Sequence, residues 1–92
     1  MNWNDYPNFT KEEFDCKHTG LNEMKPEFMD MLQKVRTAYG KPMVITSGYR
    51  DKTHPIEANK SRPGAHSTGQ AADISVDRTN AYEVLKLALE IG

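Results

Sequence analysis

The stretch that most limits how this chain can fold runs from Pro26 to Pro42. Pro26 suits the first turn of a helix, where the N–H it lacks would have no partner anyway. Phe28, Met31, Leu32, Val35 and Tyr39 then recur at helical spacing and make one apolar face over 26–39. Gly40 stops that helix, and Pro42 prevents its continuation. Directly behind comes Met43-Val44-Ile45-Thr46-Ser47, a short β-branched run bounded by Pro and Gly, which predicts a strand. A helix that hands over to a strand within a few residues commits the chain to mixed α and β structure.

The flanks add shorter elements. Thr10-Lys11-Glu12-Glu13 has the form of a capping box and predicts a helix over about 10–16 with Phe14 as its buried residue. Trp3, Tyr6 and Phe9 are the side chains that pin the N-terminal segment to the body, and Lys17-His18-Thr19-Gly20 reads as a turn. Residues 51–65 carry two Pro, a Gly and many polar residues, a long loop of the kind that is functional or mobile in so small a domain. Ala71 to Val76 reads as a second strand, with Ile74 and Val76 on one face and Asp73 and Ser75 on the other. A last helix is expected from Asn80, with an Asn80–Glu83 cap, to Glu90. Ala81, Val84, Leu85, Ala88 and Leu89 form its apolar face, and Gly92 ends it.

Composition narrows the class. Ninety-two residues make one domain, and a chain of that size buries only roughly 60–65% of its unfolded surface. Hydrophobic content of 37% and a mean hydropathy of −0.76 describe a small, wet domain with long polar loops. A net charge of −1 with no run of like charge excludes a basic nucleic-acid footprint. Lys60 and Arg62 read as a solvated basic spot. No apolar run approaches membrane-spanning length. Met1-Asn2-Trp3-Asn4-Asp5 lacks the basic and apolar parts of a signal peptide, so any access to the cell wall is expected to depend on a phage or a partner. The single cysteine, Cys16, allows no internal disulfide. Cys16-x-His18 resembles half of a metal site without its other half, and a structural role is favoured.

The residues that carry chemistry gather at the strand ends. Ser47-Gly48-Tyr49-Arg50 leaves the first strand, His66 enters the second through a Gly-containing turn, and Asp73 lies on that second strand. Paired strands would place Arg50, His66 and Asp73 in one cleft. Imidazole and carboxylate are both zinc ligands, and a catalytic zinc site takes three protein ligands with one open position. A nearby guanidinium suits a substrate carboxylate or a developing oxyanion. Spacing alone is equally compatible with a loop histidine and a strand-end aspartate that caps a turn.

Ser47-Gly48-Tyr49-Arg50 followed by His66-x-x-Gly69-x-Ala71-x-Asp73 resembles the signature of the zinc D-alanyl-D-alanine peptidases. These are carboxypeptidases, dipeptidases and phage endolysins that cut cell-wall peptides. The likeness is greatest to small phage and bacterial members. It extends upstream through Glu13-Phe14-x-Cys16 and the helix at 26–39. It implies an α+β fold of the Hedgehog/DD-peptidase-like kind, a small antiparallel sheet packed against helices. It implies Zn2+ held by His66 and Asp73, with Arg50, assisted by Ser47, contacting a peptidoglycan stem peptide. Gly64 departs from the Ser often found two residues before the ligand histidine. The family's third ligand is a histidine on a strand after the last helix, with an acidic general base nearby. No residue of this sequence follows Gly92, so residues 1–92 read as a single domain whose C-terminal strand is missing, with His54 as the internal substitute ligand. The expected activity is zinc-dependent cleavage of peptidoglycan stem peptides. The alternative is a non-catalytic cell-wall-binding or phage structural module on the same fold, assembling as a homo-oligomer through an open sheet edge.

Overall fold

The computed structural model describes residues 1–51, 53–54 and 64–91. The basic spot at Lys60 and Arg62 and the terminal Gly92 lie outside the described residues. A 3-10 helix at Trp3–Asp5 is followed by α1 (Lys11–Phe14), α2 (Pro26–Tyr39), β1 (Val44–Ser47), a second 3-10 helix at Ala65–Thr68, β2 (Asp73–Ser75) and α3 (Arg78–Ile91). β1 and β2 pair antiparallel, with Val44 opposite Ser75, Ile45 opposite Ile74 and Ser47 opposite Asp73. The register is irregular between Ile45 and Ser47. This is the α+β arrangement expected, a small antiparallel sheet with α1 against β1 and α3 against α2.

The core is built largely from the N-terminal half. Phe14 and Met29 are completely buried, and Val35, Cys16, Leu32 and Tyr39 surround them. α1 starts as its sequence predicts. The Thr10 hydroxyl accepts from the Glu13 N–H while the Glu13 carboxylate accepts from the Thr10 N–H, which satisfies two otherwise orphaned donors. That short helix delivers Phe14 to the rings of Phe9 and Trp3, each 5.5 Å away between centroids. Tyr6 is buried as well, and its hydroxyl donates to Asp30 Oδ1 at 2.8 Å. Burial and this carboxylate together push the Tyr6 hydroxyl up to about 12. The N-terminal aromatics therefore do pin the first residues to α2.

α2 has its expected bounds, but its buried face is centred one residue away from the expected one. Met29 is fully buried beside Leu32, Val35 and Tyr39, whereas Phe28 and Met31 are only partly buried at the flanks. Methionine fits this position because its unbranched side chain fills irregular gaps.

α3 differs more. It begins at Arg78 rather than Asn80, and Asp77 rather than Asn80 caps it. Asp77 Oδ1 accepts from the Asn80 N–H at 2.9 Å, and the Asp77 carbonyl accepts from the Ala81 N–H at 2.8 Å. A carboxylate reaches the third helical N–H as well as any cap and also suits the positive end of the helix dipole. Asp77→Ala should accordingly lower stability by about 1 kcal/mol, measurable as a small fall in the urea midpoint with an unchanged slope. Of the expected apolar face, Val84 is buried and Ala88 partly so, with Leu87 packing beside them. Leu85 and Leu89 are 59% and 76% exposed, and Ala81 is exposed too. The stripe that meets α2 is therefore narrower than the apolar sequence pattern. No helix among the described residues is long and apolar enough to cross a membrane.

Candidate functional site

The site forms where β1 ends beside β2. At the end of β1 the chain passes hard against α1. A Cβ on Gly48 would lie 2.5 Å from the Phe14 Cα and 2.8 Å from the Phe14 carbonyl oxygen, so only glycine allows this approach. The neighbouring Tyr49 N–H donates to that same Phe14 carbonyl at 2.9 Å. The Tyr49 ring is buried, and its hydroxyl donates to Glu23 Oε2 at 2.6 Å. The hydrogen bond to Glu23, with burial second, holds the Tyr49 hydroxyl well above its ordinary range. Gly48 and Tyr49 are thus held against the end of α1.

His66 arrives from the other limb. It lies in the 3-10 helix Ala65–Thr68, which ends at Gly69 with φ +76°. The Arg50 N–H donates to the His66 carbonyl at 3.1 Å and joins the two limbs. The His66 ring faces the Gly48 carbonyl, with Nδ1 2.8 Å from its oxygen. A carbonyl can only accept, so Nδ1 carries the proton in this hydrogen bond, and in the neutral ring Nε2 then presents its lone pair. Nε2 in turn lies 3.4 Å from Asp73 Oδ1. The other oxygen of Asp73, Oδ2, accepts from an Arg50 terminal nitrogen at 3.0 Å. Thr46 Oγ1 donates to the Asp73 backbone carbonyl at 3.3 Å and fixes the strand that carries the carboxylate.

Arg50, His66 and Asp73 are therefore brought together, as the strand pairing requires, and Ser47 stands across from Asp73 in the register. The His66 and Arg50 side chains are 15% and 17% exposed, while that of Asp73 is 51% exposed and gives the cluster its open side. Among the described residues, the Asp73 carboxylate is engaged by Arg50 and faces the imidazole.

The chemistry of this pair is unusual. A neutral imidazole with its proton on Nδ1 aims a lone pair from Nε2 at a carboxylate oxygen. Two acceptors in that position repel each other unless a proton or a metal cation lies between them. Ligand atoms at about 2.0–2.1 Å from a tetrahedral zinc stand roughly 3.3 Å apart, and the Nε2–Oδ1 separation is 3.4 Å. A backbone carbonyl on the distal ring nitrogen is also the usual outer partner of a metal-binding histidine. The pair fits two positions of such a centre. Among the described residues no three His, Cys, Asp or Glu side chains gather closely enough to hold a metal ion. His54 stands elsewhere, with its ring 5.9 Å from that of His18 in an edge-on contact.

Cys16 belongs to the core rather than to the site. Its side chain is buried, and Sγ accepts from the Asp51 N–H at 3.3 Å. Burial pushes the thiol up, but hydrogen bonds from the Thr19 side chain and from the backbone of Asp51, Thr19 and His18 outweigh it and leave the thiol below its ordinary value.

Two contributors escaped the sequence reading. The Gly48 carbonyl orients His66, and a backbone atom leaves no signal in residue types. Glu23 reaches Tyr49 from 26 positions away and carries no motif of its own.

Comparison with known families gives one finding. The model of a family described as Peptidase M15 matches residues 7–91. Comparison with curated proteins and with solved structures gives no match.

Proposed function

Starting from the fact that the chain belongs to the Peptidase M15 family, we propose that it is a zinc-dependent peptidase domain directed at peptidoglycan stem peptides. His66 and Asp73 are two of its zinc ligands, and Arg50 and Ser47 face the substrate. The observation that carries this reading is His66 Nε2 standing 3.4 Å from Asp73 Oδ1, with the opposite ring nitrogen 2.8 Å from the Gly48 carbonyl oxygen. A cation in that gap would join the two facing acceptors.

The roles follow from the geometry. Gly48 fixes the tautomer of His66, so that Nε2 is the free donor atom. Arg50 holds one oxygen of Asp73 and leaves the other for the metal. Its guanidinium also offers donors to a substrate carboxylate or to the oxygen of the scissile carbonyl as negative charge develops there. Bound zinc supplies Lewis-acid polarisation of the carbonyl and a lower pKa for the attacking water. A complete catalytic centre takes a third protein ligand. Two ligands among the described residues predict weak zinc binding and slow turnover.

The test is D-alanine release from a peptide ending in D-Ala-D-Ala, and stem-peptide release from purified peptidoglycan, with zinc and with chelator. Slow release that requires zinc and disappears in His66→Ala is the expected result. Release that survives both chelator and His66→Ala would overturn the proposal. A second reading, a non-catalytic wall-binding module, is favoured by the lack of a three-ligand group among the described residues. It predicts peptidoglycan binding without cleavage, unchanged by His66→Ala.

A further inference from the structure

One segment touches both limbs of the site, and it lies outside every motif in the sequence. Glu23 Oε2 accepts from the Tyr49 hydroxyl at 2.6 Å and so holds the limb that carries the Gly48 carbonyl and Arg50. The backbone of the same residue packs on the limb that carries His66. The Glu23 carbonyl oxygen lies 2.0 Å from where a Cβ of residue 69 would stand. Two residues on, the Lys25 N–H donates to the Gly69 carbonyl at 3.0 Å. Gly69 closes the short helix that presents His66, and the Gln70 N–H bonds back to the Ala65 carbonyl at 3.0 Å.

We propose that Glu23 is a positioning residue that, through Tyr49, sets the Gly48 carbonyl against His66 Nδ1 and so fixes which imidazole nitrogen is free. Tyr49 is suited to transmit this. Its ring is buried, its N–H is tied to Phe14, and the peptide groups on either side of it are Gly48 and Arg50. Without the Glu23 carboxylate the phenol loses its anchor. The Gly48 carbonyl then loses its enforced alignment with Nδ1, although no group of the site has been removed. The inference rests on the zinc-ligand reading only in that the freed nitrogen is the one proposed to bind metal.

The experiment uses metal-free protein, so that it succeeds or fails independently of zinc chemistry. Nitrogen-resolved NMR of the histidine rings, at a pH where His66 is neutral, reports where its proton sits. The wild type is expected to show His66 as one tautomer, protonated at Nδ1. Glu23→Ala and Tyr49→Phe should each lose this preference and give a mixture with the Nε2–H form. The double variant should look like either single one, because the two residues act through one bond. Glu23→Gln keeps an oxygen that accepts from the phenol and should retain the wild-type tautomer. Tyr49→Phe keeps the buried ring, and Glu23 is exposed, so both folds can be verified by their thermal transitions. Unchanged His66 tautomers in folded Glu23→Ala and Tyr49→Phe would overturn the proposal. So would effects that add in the double variant.

Discussion

Gly69→Ala is expected to be among the most damaging single substitutions in this protein. Two independent penalties meet at that position. Its φ of +76° is left-handed, which a residue with a Cβ adopts at a cost of about 1–2 kcal/mol. Its added Cβ would also fall 2.0 Å from the Glu23 carbonyl oxygen and 2.9 Å from the Met24 Cα. Both obstacles are backbone, so no rotamer change relieves them, and forced backbone shifts cost roughly another 1–3 kcal/mol. The sum, about 2–5 kcal/mol, is a large part of the ~5–15 kcal/mol that holds a domain folded. Gly40→Ala is the control. Its φ is +72°, but nothing lies within 4 Å of the added Cβ, so it carries the first penalty without the second. Denaturant unfolding of both variants should therefore place Gly69→Ala well below Gly40→Ala in midpoint. Equal midpoints would show that residues 23–25 do not pack on the His66 limb as described.

Asp73→Asn separates metal binding from folding. The amide has nearly the shape of the carboxylate, yet its nitrogen can donate to the His66 Nε2 lone pair where the carboxylate oxygen repels it. It loses the ion pair with Arg50, which is half exposed on the Asp73 side and worth at most about 1 kcal/mol. The thermal transition of the metal-free variant should thus stay within a few degrees of wild type, by an estimate of about 4–8 °C per kcal/mol. Zinc binding should fall by at least the ~10–100-fold seen when only an outer partner of a ligand is removed. A variant that binds zinc like wild type would remove Asp73 from the ligand set. One that loses its fold as well would show that Asp73 is structural first.

The sequence and the structure agree where the physics is local. Pro26, the apolar spacing to Tyr39 and the stop at Gly40 define α2 without help from any other part of the chain. Thr10 and Glu13 likewise complete a capping box within four residues. The start of α3 was less legible, because Asp77, Asn80 and Glu83 all offer capping chemistry and only the backbone decides that Asp77 is used. Burial was harder still. Met29 rather than Phe28 or Met31 lies at the centre of the α2 face, since burial depends on how the rest of the core sits against the helix. At the site, the motif resemblance more than residue spacing singled out Arg50, His66 and Asp73, which the structure brings together. Their coupling was not. It runs through the Gly48 carbonyl, the tight passage of Gly48 over Phe14 and the Tyr49–Glu23 bond, all of which join segments distant in sequence.

The most direct measurement is a zinc titration of protein labelled with nitrogen-15 in its histidine rings. There are three histidines, His18, His54 and His66. The prediction is a weak, saturable one-to-one shift of the His66 Nε2 resonance, with His18 and His54 unaffected and the shift gone in Asp73→Asn. Zinc that perturbs His18 and His54 while leaving His66 Nε2 in place would contradict it.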